Sequence, residues 1–234
     1  MQSIDSHLAQ LAHKKATLPQ LAELSTLTAR RASLADEVVL ARTEVEDLTR
    51  EQRKADTDVE QVKARLQRDQ RRLDGGLVGS PKELESLQHE VISLERRIAE
   101  LEDTELDVME QLETAQARLD ELQASVESTE VGLTTTLAGR DKAVAEIDDE
   151  ITQARAERDL TARDLPAALL AAYDKLRAKL GGVGAAALLQ KRCGGCRLEV
   201  NAAELAHIVA ADPDEVLRCE ECGRILVRTK ESGI

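Results

Sequence analysis

A seven-residue repeat of apolar side chains runs through most of the first 133 residues and constrains the fold more than any other feature. In residues 34–73 and 84–133, apolar side chains recur at alternating intervals of four and three. A heptad repeat of this length is typical of left-handed supercoiled helices. The a positions are Val38, Val45, Gln52, Val59, Leu66 and Leu73, then Leu84, Val91, Ile98, Glu105, Leu112, Leu119, Val126 and Leu133. The d positions are Leu34, Ala41, Leu48, Ala55, Val62 and Asp69, then Leu87, Leu94, Leu101, Val108, Ala115 and Leu122.

A globular bundle of short helices is the alternative, and it would need several helix breakers. The only strong breaker cluster is residues 74–81, whose two adjacent glycines can end a helix in the left-handed conformation. Ser80, Pro81 and Glu83 have the spacing of an N-cap, a first helical residue and a capping-box acid. We therefore predict a mainly α protein in which residues 1–165 form a long antiparallel coiled-coil hairpin with its tip at 74–81.

The heptad repeat weakens at two segments, one in each arm, that antiparallel pairing of the arms would place opposite each other. Pro19 interrupts the first arm, and a proline removes a helical hydrogen bond. In the second arm, threonines and glycines replace core residues over 129–140. We expect a bend or register shift in both arms there, and local tolerance with no mechanical role is an equal alternative.

All four cysteines lie in two CxxC pairs, Cys193 with Cys196 and Cys219 with Cys222, separated by 22 residues. Two such pairs at this separation are the signature of a tetrahedral Zn(Cys)4 site. Four protein ligands leave no open position for water, so we predict one structural Zn²⁺. Two disulfides would need an oxidising compartment, and no signal peptide indicates one. A thioredoxin-like redox pair would need a single CxxC in a βαβ context.

The remaining elements surround these cysteines. Pro166 is expected to begin a short helix after the second arm, because the residue before a proline avoids helix. Residues 184–190 and 224–228 favour strands on either side of the two knuckles. Asn201 with Glu204 predicts a capped helix between them. The second domain is thus expected to span 166–234, a short helix followed by a small C-terminal zinc ribbon.

Two glycines and a histidine in this module have expected roles. Gly195 and Gly223 are expected where a knuckle needs unusual backbone angles and room for amide groups near sulfur. His207 is not expected to bind the metal, because the four cysteines already complete its shell.

Basic residues flank the knuckles and have two interpretations. They can offset the formal charge of −2 on Zn(Cys)4, or they can form a small phosphate-binding patch. No aromatic side chain is available there to stack bases, since Tyr173 is the only aromatic residue of the chain. The residues concerned are Lys191, Arg192, Arg197, Arg218, Arg224, Arg228 and Lys230.

Composition limits the partners. The net charge is −13, and nearly all of the acidic excess lies in residues 1–165. A chain this acidic is not expected to bind DNA in general, and only the C-terminal module is expected to bind nucleic acid. No apolar run approaches the ~18 residues that span a bilayer, and the N-terminus lacks the pattern of a secretion signal. We expect a cytoplasmic protein.

At the hairpin tip, Leu77 and Val78 are either a docking point for a partner or a local contact with neighbouring leucines.

These features resemble the bacterial C4-type zinc-ribbon proteins that carry an N-terminal coiled coil. The resemblance rests on Cys193-Gly194-Gly195-Cys196, on Cys219-Glu220-Glu221-Cys222-Gly223-Arg224-Ile225-Leu226, and, at the tip, on Lys82-Glu83-Leu84 with Leu87-Gln88-His89-Glu90. The resemblance implies cytoplasmic, non-catalytic proteins that bind nucleic acid. It also implies RNA-binding regulators or adaptors tied to flagellar assembly, type III secretion or an alternative sigma factor.

The sequence therefore favours a non-enzymatic adaptor, with RNA on the ribbon and protein partners on the coiled coil. A protein-binding scaffold without nucleic acid is the alternative, and the oligomeric state is left open. An enzyme is disfavoured because no Ser/His/Asp constellation, glycine-rich phosphate loop or open metal site is present.

Overall fold

The computed structural model describes residues 1–234, which form five helices and four short strands. The helices are α1 (Gln2–Ala16), α2 (Pro19–Asp74), α3 (Pro81–Arg163), α4 (Ala167–Lys179) and α5 (Ala202–Ala210). The strands are β1 (Ala185–Leu189), β2 (Arg192–Cys193), β3 (Leu217–Arg218) and β4 (Ile225–Val227). None of the helices combines the length and the apolar character that a membrane span requires.

Two compact units divide the chain. One is residues 23–136, and the other combines residues 1–22 with residues 137–234. The second unit thus contains the start of the chain and the end of α3 as well as all later elements, and the expected domain boundary at 165 stays a prediction.

Residues 23–136 form an antiparallel coiled-coil hairpin, as the heptads predict. Its buried residues, including Thr129 and Thr136 one and two heptads beyond Leu122, all fall on a or d positions. They are Leu34, Ala41, Val59, Asp69, Leu87, Ile98, Ala115, Leu119, Thr129 and Thr136. Ion pairs also join the two helices, between Arg72 and Glu83, Arg65 and Glu90, and Lys63 and Glu102.

The tip follows the expected capping chemistry. Gly76 has φ +63°, its N–H donates to the Leu73 carbonyl at 3.2 Å, and the Leu77 N–H donates to the Arg72 carbonyl at 3.2 Å. These two bonds are a Schellman motif, which ends α2. Ser80 Oγ accepts from the Glu83 N–H at 3.2 Å, and the Glu83 carboxylate accepts from the Gly79 N–H at 3.1 Å. The capping box thus reaches one residue further back than expected.

The two weakened segments behave differently. The first arm is interrupted, because α1 ends at Ala16 and α2 begins at Pro19. The second arm is not, since α3 continues as α-helix through residues 132–140. The hydroxyls of Thr134 and Thr135 donate to the carbonyls four residues back at 2.9 Å, which satisfies these side chains within the helix.

The other unit has its own helical core. Leu11 of α1, Leu18 and Ile147 of α3 form a buried cluster, with Val144 and Ile151 packed against it. Ile147 is only 1% exposed. The chain segment at the interruption is therefore held by burial of Leu18, together with the bond from the Thr17 N–H to the His13 carbonyl at 3.0 Å.

A buried carboxylate joins three helices of this unit. The side chain of Asp5 is 0% exposed and accepts from Arg158 Nε at 2.8 Å and from the Tyr173 hydroxyl at 2.6 Å. Arg177 also pairs with it, and Arg158 extends to Asp174 at 2.7 Å. Burial by itself raises the pKa of Asp5. The hydrogen bonds from Tyr173 and Arg158, and the charges of Arg158 and Arg177, outweigh burial and lower that pKa below its ordinary value.

Gln2 ties the start of α1 to the entry of the ribbon. Its Oε1 accepts from the backbone N–H of Gly184 at 2.8 Å and of Ala185 at 3.2 Å. Its Nε2 donates to the Gly182 carbonyl at 3.0 Å. These contacts set the position at which β1 begins.

Replacement of Asp5 by Ala should destabilise this unit by about 3 kcal/mol, because two arginines lose a buried partner. Asp148→Ala is the matched control. It removes an ion pair with Lys15 whose side chains are 40% and 49% exposed, so it should cost less than about 1 kcal/mol. Urea unfolding followed by circular dichroism measures both, and equal losses would contradict a special role for Asp5.

The stabilisation from Asp5 should also depend on pH. Its folded-state pKa lies below the ordinary value of 3.8, so the contribution is present above that pH and is lost as the pH falls through the folded-state pKa. The difference in unfolding free energy between wild type and Asp5→Asn should therefore shrink under acid conditions. A difference that does not change with pH would contradict this assignment.

Candidate metal centre

A four-stranded sheet of order β2-β1-β4-β3 brings the two CxxC segments together. β1 pairs in parallel with β4, Ala186 opposite Leu226, while β2 and β3 are antiparallel edge strands. Each edge strand runs directly into a knuckle. The predicted strands at 184–190 and 224–228 are confirmed as β1 and β4.

The first knuckle follows a tight hairpin. Gln190 and Lys191 have φ of 46° and 63°, as a two-residue turn between β1 and β2 requires. The Cys193 N–H donates to the Leu198 carbonyl at 3.0 Å, and the Arg197 N–H donates to the Cys193 carbonyl at 2.7 Å. Arg197 has φ 64°, so a non-glycine residue occupies the left-handed position here.

The second knuckle repeats this pattern. The Cys219 N–H donates to the Arg224 carbonyl at 2.9 Å, and the Gly223 N–H donates to the Cys219 carbonyl at 2.8 Å. Gly223 has φ 73°, which confirms its predicted role. The expectation for Gly195 is wrong in part, because the left-handed residue of the first knuckle is Arg197. Gly195 instead leaves room for the Arg224 side chain, which a Cβ would meet.

The four cysteine sulfurs converge on one point. Cys193 Sγ lies 3.8 Å from Cys222 Sγ, and Cys196 Sγ lies 3.9 Å from Cys219 Sγ. All four sulfurs lie within 4.8 Å of one another. Bonds of about 2.3 Å to a tetrahedral Zn²⁺ would place sulfurs about 3.8 Å apart. The residues present therefore fit one structural zinc ion.

The surroundings of Cys193 and Cys219 oppose the ionisation of these two thiols, whereas those of Cys222 favour it. Burial raises the pKa of Cys193 and raises that of Cys219 to about 12. Burial acts in the same direction on Cys222, but hydrogen bonds from the Arg224 amide and guanidinium, and from the neighbouring thiols, lower its pKa to about 7. A coordinating thiol is deprotonated, so zinc binding releases protons and weakens as the pH falls.

A small apolar core supports the knuckles. Leu188 and Cys193 are fully buried and Ile208 of α5 is 1% exposed. Asn201 Oδ1 accepts from the Glu204 N–H at 2.8 Å, as the predicted cap requires. The Glu204 carboxylate does not close a capping box. It accepts from the Glu220 N–H at 3.1 Å and so links α5 to the second knuckle.

Two of the predicted phosphate-binding residues donate to backbone carbonyls and stabilise the fold. Arg224 donates from Nε to the Val183 carbonyl and from Nη2 to the Leu180 carbonyl, both at 2.9 Å. Arg228 donates to the carbonyls of Ile208 at 3.1 Å and Ala211 at 2.8 Å, and thereby caps the end of α5. These carbonyls lie 17 to 44 residues away from the two arginines in the chain, so no local sequence pattern predicts the contacts.

The other five basic residues are exposed. Lys191 and Arg192 lie at the β1–β2 turn, Arg197 ends the first knuckle, and Arg218 lies in β3. Arg192 pairs with Glu199 at 3.8 Å. Lys230 adjoins a segment that meets the β1–β2 turn, since the Gln190 and Lys191 N–H groups donate to the Glu231 and Ser232 carbonyls. His207 lies apart from the sulfurs, with its Nε2 4.0 Å from Glu215.

Two family descriptions match this chain. The CT398-like coiled coil hairpin domain matches residues 1–181, and the C4-type zinc ribbon domain matches residues 192–226. The chain belongs to the CT398-like hairpin family. The predicted resemblance, the mainly α fold with its terminal ribbon, and the structural zinc are confirmed.

Related proteins share the whole arrangement. An uncharacterized protein of Mycobacterium tuberculosis is 36% identical over 225 residues, which cover 96% of this chain and 91% of that protein. A structure from Mycobacterium smegmatis is 35% identical with a TM-score of 0.79, covering 97% of this chain and 94% of that one. CT398 from Chlamydia trachomatis has the same coverage with a TM-score of 0.65. It is 18% identical, so its similarity shows the fold alone.

Replacement of Cys219 by Ser should abolish zinc binding and unfold the ribbon, because so small a core does not fold without its metal. Elemental analysis should give one zinc per chain for wild type and none for the variant. The strong helical signal in circular dichroism should persist. Glu221→Ser is the control, since it changes an exposed residue inside the same knuckle. A variant that keeps its zinc would contradict the four-cysteine assignment.

Proposed function

We propose that this protein is a non-enzymatic cytoplasmic adaptor whose hairpin binds proteins and whose ribbon binds RNA weakly. The proposal rests on the contrast between a closed metal site in the ribbon and an exposed apolar surface on the hairpin. The ribbon encloses its metal with four sulfurs and has no place for a substrate at the ion. The hairpin is a long helical surface that keeps several large apolar side chains exposed.

The RNA part of the proposal rests on the exposed basic residues beside the first knuckle. Lys191, Arg197 and Lys230 have no acidic partner within 4.0 Å, and the backbone bonds at the β1–β2 turn place Lys191 and Lys230 in adjoining segments. Phosphate groups are the anions that such a cluster would bind. Since aromatic residues are absent from the ribbon, binding would depend on charge alone.

Reversal of Lys191, Arg197 and Lys230 to Glu should abolish binding of a fluorescent single-stranded RNA of about 16 nucleotides to the full chain. The wild-type affinity should fall with salt at a log–log slope of roughly −0.7 per phosphate contacted. Arg53, Lys54 and Lys82, exposed on the hairpin, provide the matched charge-reversal control. Fluorescence anisotropy that shows equal binding by all three proteins would reject the ribbon as the RNA site.

The hairpin tip is a candidate for docking proteins. Leu77 is 73% exposed and Val78 is half-buried, so the tip presents an apolar side chain that its own turn does not cover. A Leu77→Asp, Val78→Asp variant should retain its helicity and lose partners that wild type captures from nuclease-treated lysate. Ser86→Asp with His89→Asp, exposed on the adjoining part of α3, is the control. Retention of every partner would exclude the tip as a docking point.

A protein-binding scaffold without RNA is the second candidate, and one observation favours it. Residues 183–234 contain seven Lys/Arg and eight Asp/Glu, before the charge of −2 on the zinc site is added. Two of those arginines, Arg224 and Arg228, bind backbone carbonyls. If wild type binds no RNA at low salt, the scaffold becomes the function that the structure supports.

A further inference from the structure

Apolar side chains outside the a and d positions line one side of the hairpin. Leu106 and Met109 occupy b and e positions of the heptad that has Glu105 at a. They are 57% and 43% exposed. A two-helix hairpin buries its a and d residues. These two large side chains therefore contribute little to its own packing and remain free to contact another molecule.

The two side chains border a groove between α2 and α3, within residues 23–136. Val45 of α2 and Leu112 of α3, both half-buried a residues, also line it. The cavity measures about 670 Å³. Its apolar surface therefore continues outward from the hairpin seam, as the face for a third helix would.

Every charged residue that lines the groove is acidic. Glu110, Glu113 and Asp120 border it, and no Lys or Arg does. Residues 98–117 of α3 contain seven Asp/Glu and no Lys or Arg. Across residues 23–136 there are 15 Lys/Arg and 27 Asp/Glu, a net −12 of the −13 carried by the whole chain. The groove thus combines apolar side chains with three uncharged polar ones, Thr49, Gln52 and Gln116, and carries only negative charge.

The acidic charge of the groove favours a basic helix over a second copy of the hairpin as its occupant. A second hairpin would bring the same carboxylates to the same groove, and like charges across an interface are unfavourable. A helix with an apolar stripe flanked by Lys and Arg matches both the apolar side chains and the negative charge. Met109 can adapt its unbranched side chain to different apolar residues of such a helix.

We propose that this groove binds a basic amphipathic helix of a partner protein. The inference rests on the proposed adaptor function and specifies the chemistry of its protein partner. Apolar residues of the partner, spaced three and four apart, would contact Leu106, Met109 and Val45. Its basic residues would face Glu110 and Glu113.

A synthetic helix of about three heptads, with Leu at a and d and Lys elsewhere, is the direct probe. Fluorescence anisotropy with the full chain should show binding at least about tenfold tighter than a scrambled peptide of equal composition. The affinity should fall with added salt, because the groove is charged. Equal binding of the scrambled peptide, or no binding, would overturn the proposal.

Leu106→Ser with Met109→Ser should weaken peptide binding about tenfold or more. Ile92→Ser with Val131→Ser is the matched control, since these side chains are 55% and 62% exposed and lie outside the groove. The control should bind within about twofold of wild type. Equal losses in both variants would overturn the site. Self-association of wild type in sedimentation, lost only in the groove variant, would instead assign the groove to a second copy.

Capture from nuclease-treated lysate separates this inference from the adaptor function. If the groove variant retains every protein that wild type captures, the groove inference fails while the adaptor function stands. If wild type captures no protein, the adaptor function itself fails. Loss of a captured protein in the groove variant, together with the peptide result, supports both.

Discussion

A shortage of large apolar side chains is the constraint on which the rest of the structure depends. The chain has no Trp or Phe and a single Tyr. Aromatic residues usually contribute much of the buried area of a globular core. Without them, two other interactions stabilise the fold. One is a seam of Leu, Ile, Val and Ala between long helices, and the other is a metal bound by four sulfurs. The one aromatic residue, Tyr173, is buried and donates its hydroxyl to Asp5.

Charge is used differently in the different parts of the molecule. On the hairpin most charged side chains are exposed, and the excess of acidic residues makes the surface negatively charged. In the helical part around α1 and α4, the Asp5 carboxylate is completely buried and compensated by Arg158 and Arg177. In the ribbon, two arginines are held by backbone carbonyls, so a count of basic residues overstates the number of guanidinium groups free to donate to a ligand. The RNA proposal therefore depends on fewer residues than the sequence indicates.

The two knuckles show how similar geometry can arise from different residues. Both have the same pair of backbone hydrogen bonds and a left-handed residue after the second cysteine. That residue is Gly223 in one knuckle and Arg197 in the other, and a non-glycine residue there carries a conformational cost of about 1 kcal/mol. Metal coordination by all four sulfurs would help to hold such a strained position.

Local and periodic patterns in the sequence determined the hairpin, its tip, the caps of α3 and α5, and the zinc ligands. Heptads, capping boxes and CxxC pairs involve residues close in the chain, and their chemistry does not depend on distant partners. Tertiary structure alone decided the Asp5 cluster, the contacts of Gln2, and the carbonyls bound by Arg224 and Arg228. These contacts join residues 16 to 183 positions apart, so no local spacing encodes them. Through its segment of weak pattern, α3 continues unbroken with Thr129 and Thr136 buried, which is a tertiary contribution, while the Thr129 hydroxyl bonds locally to its own helix.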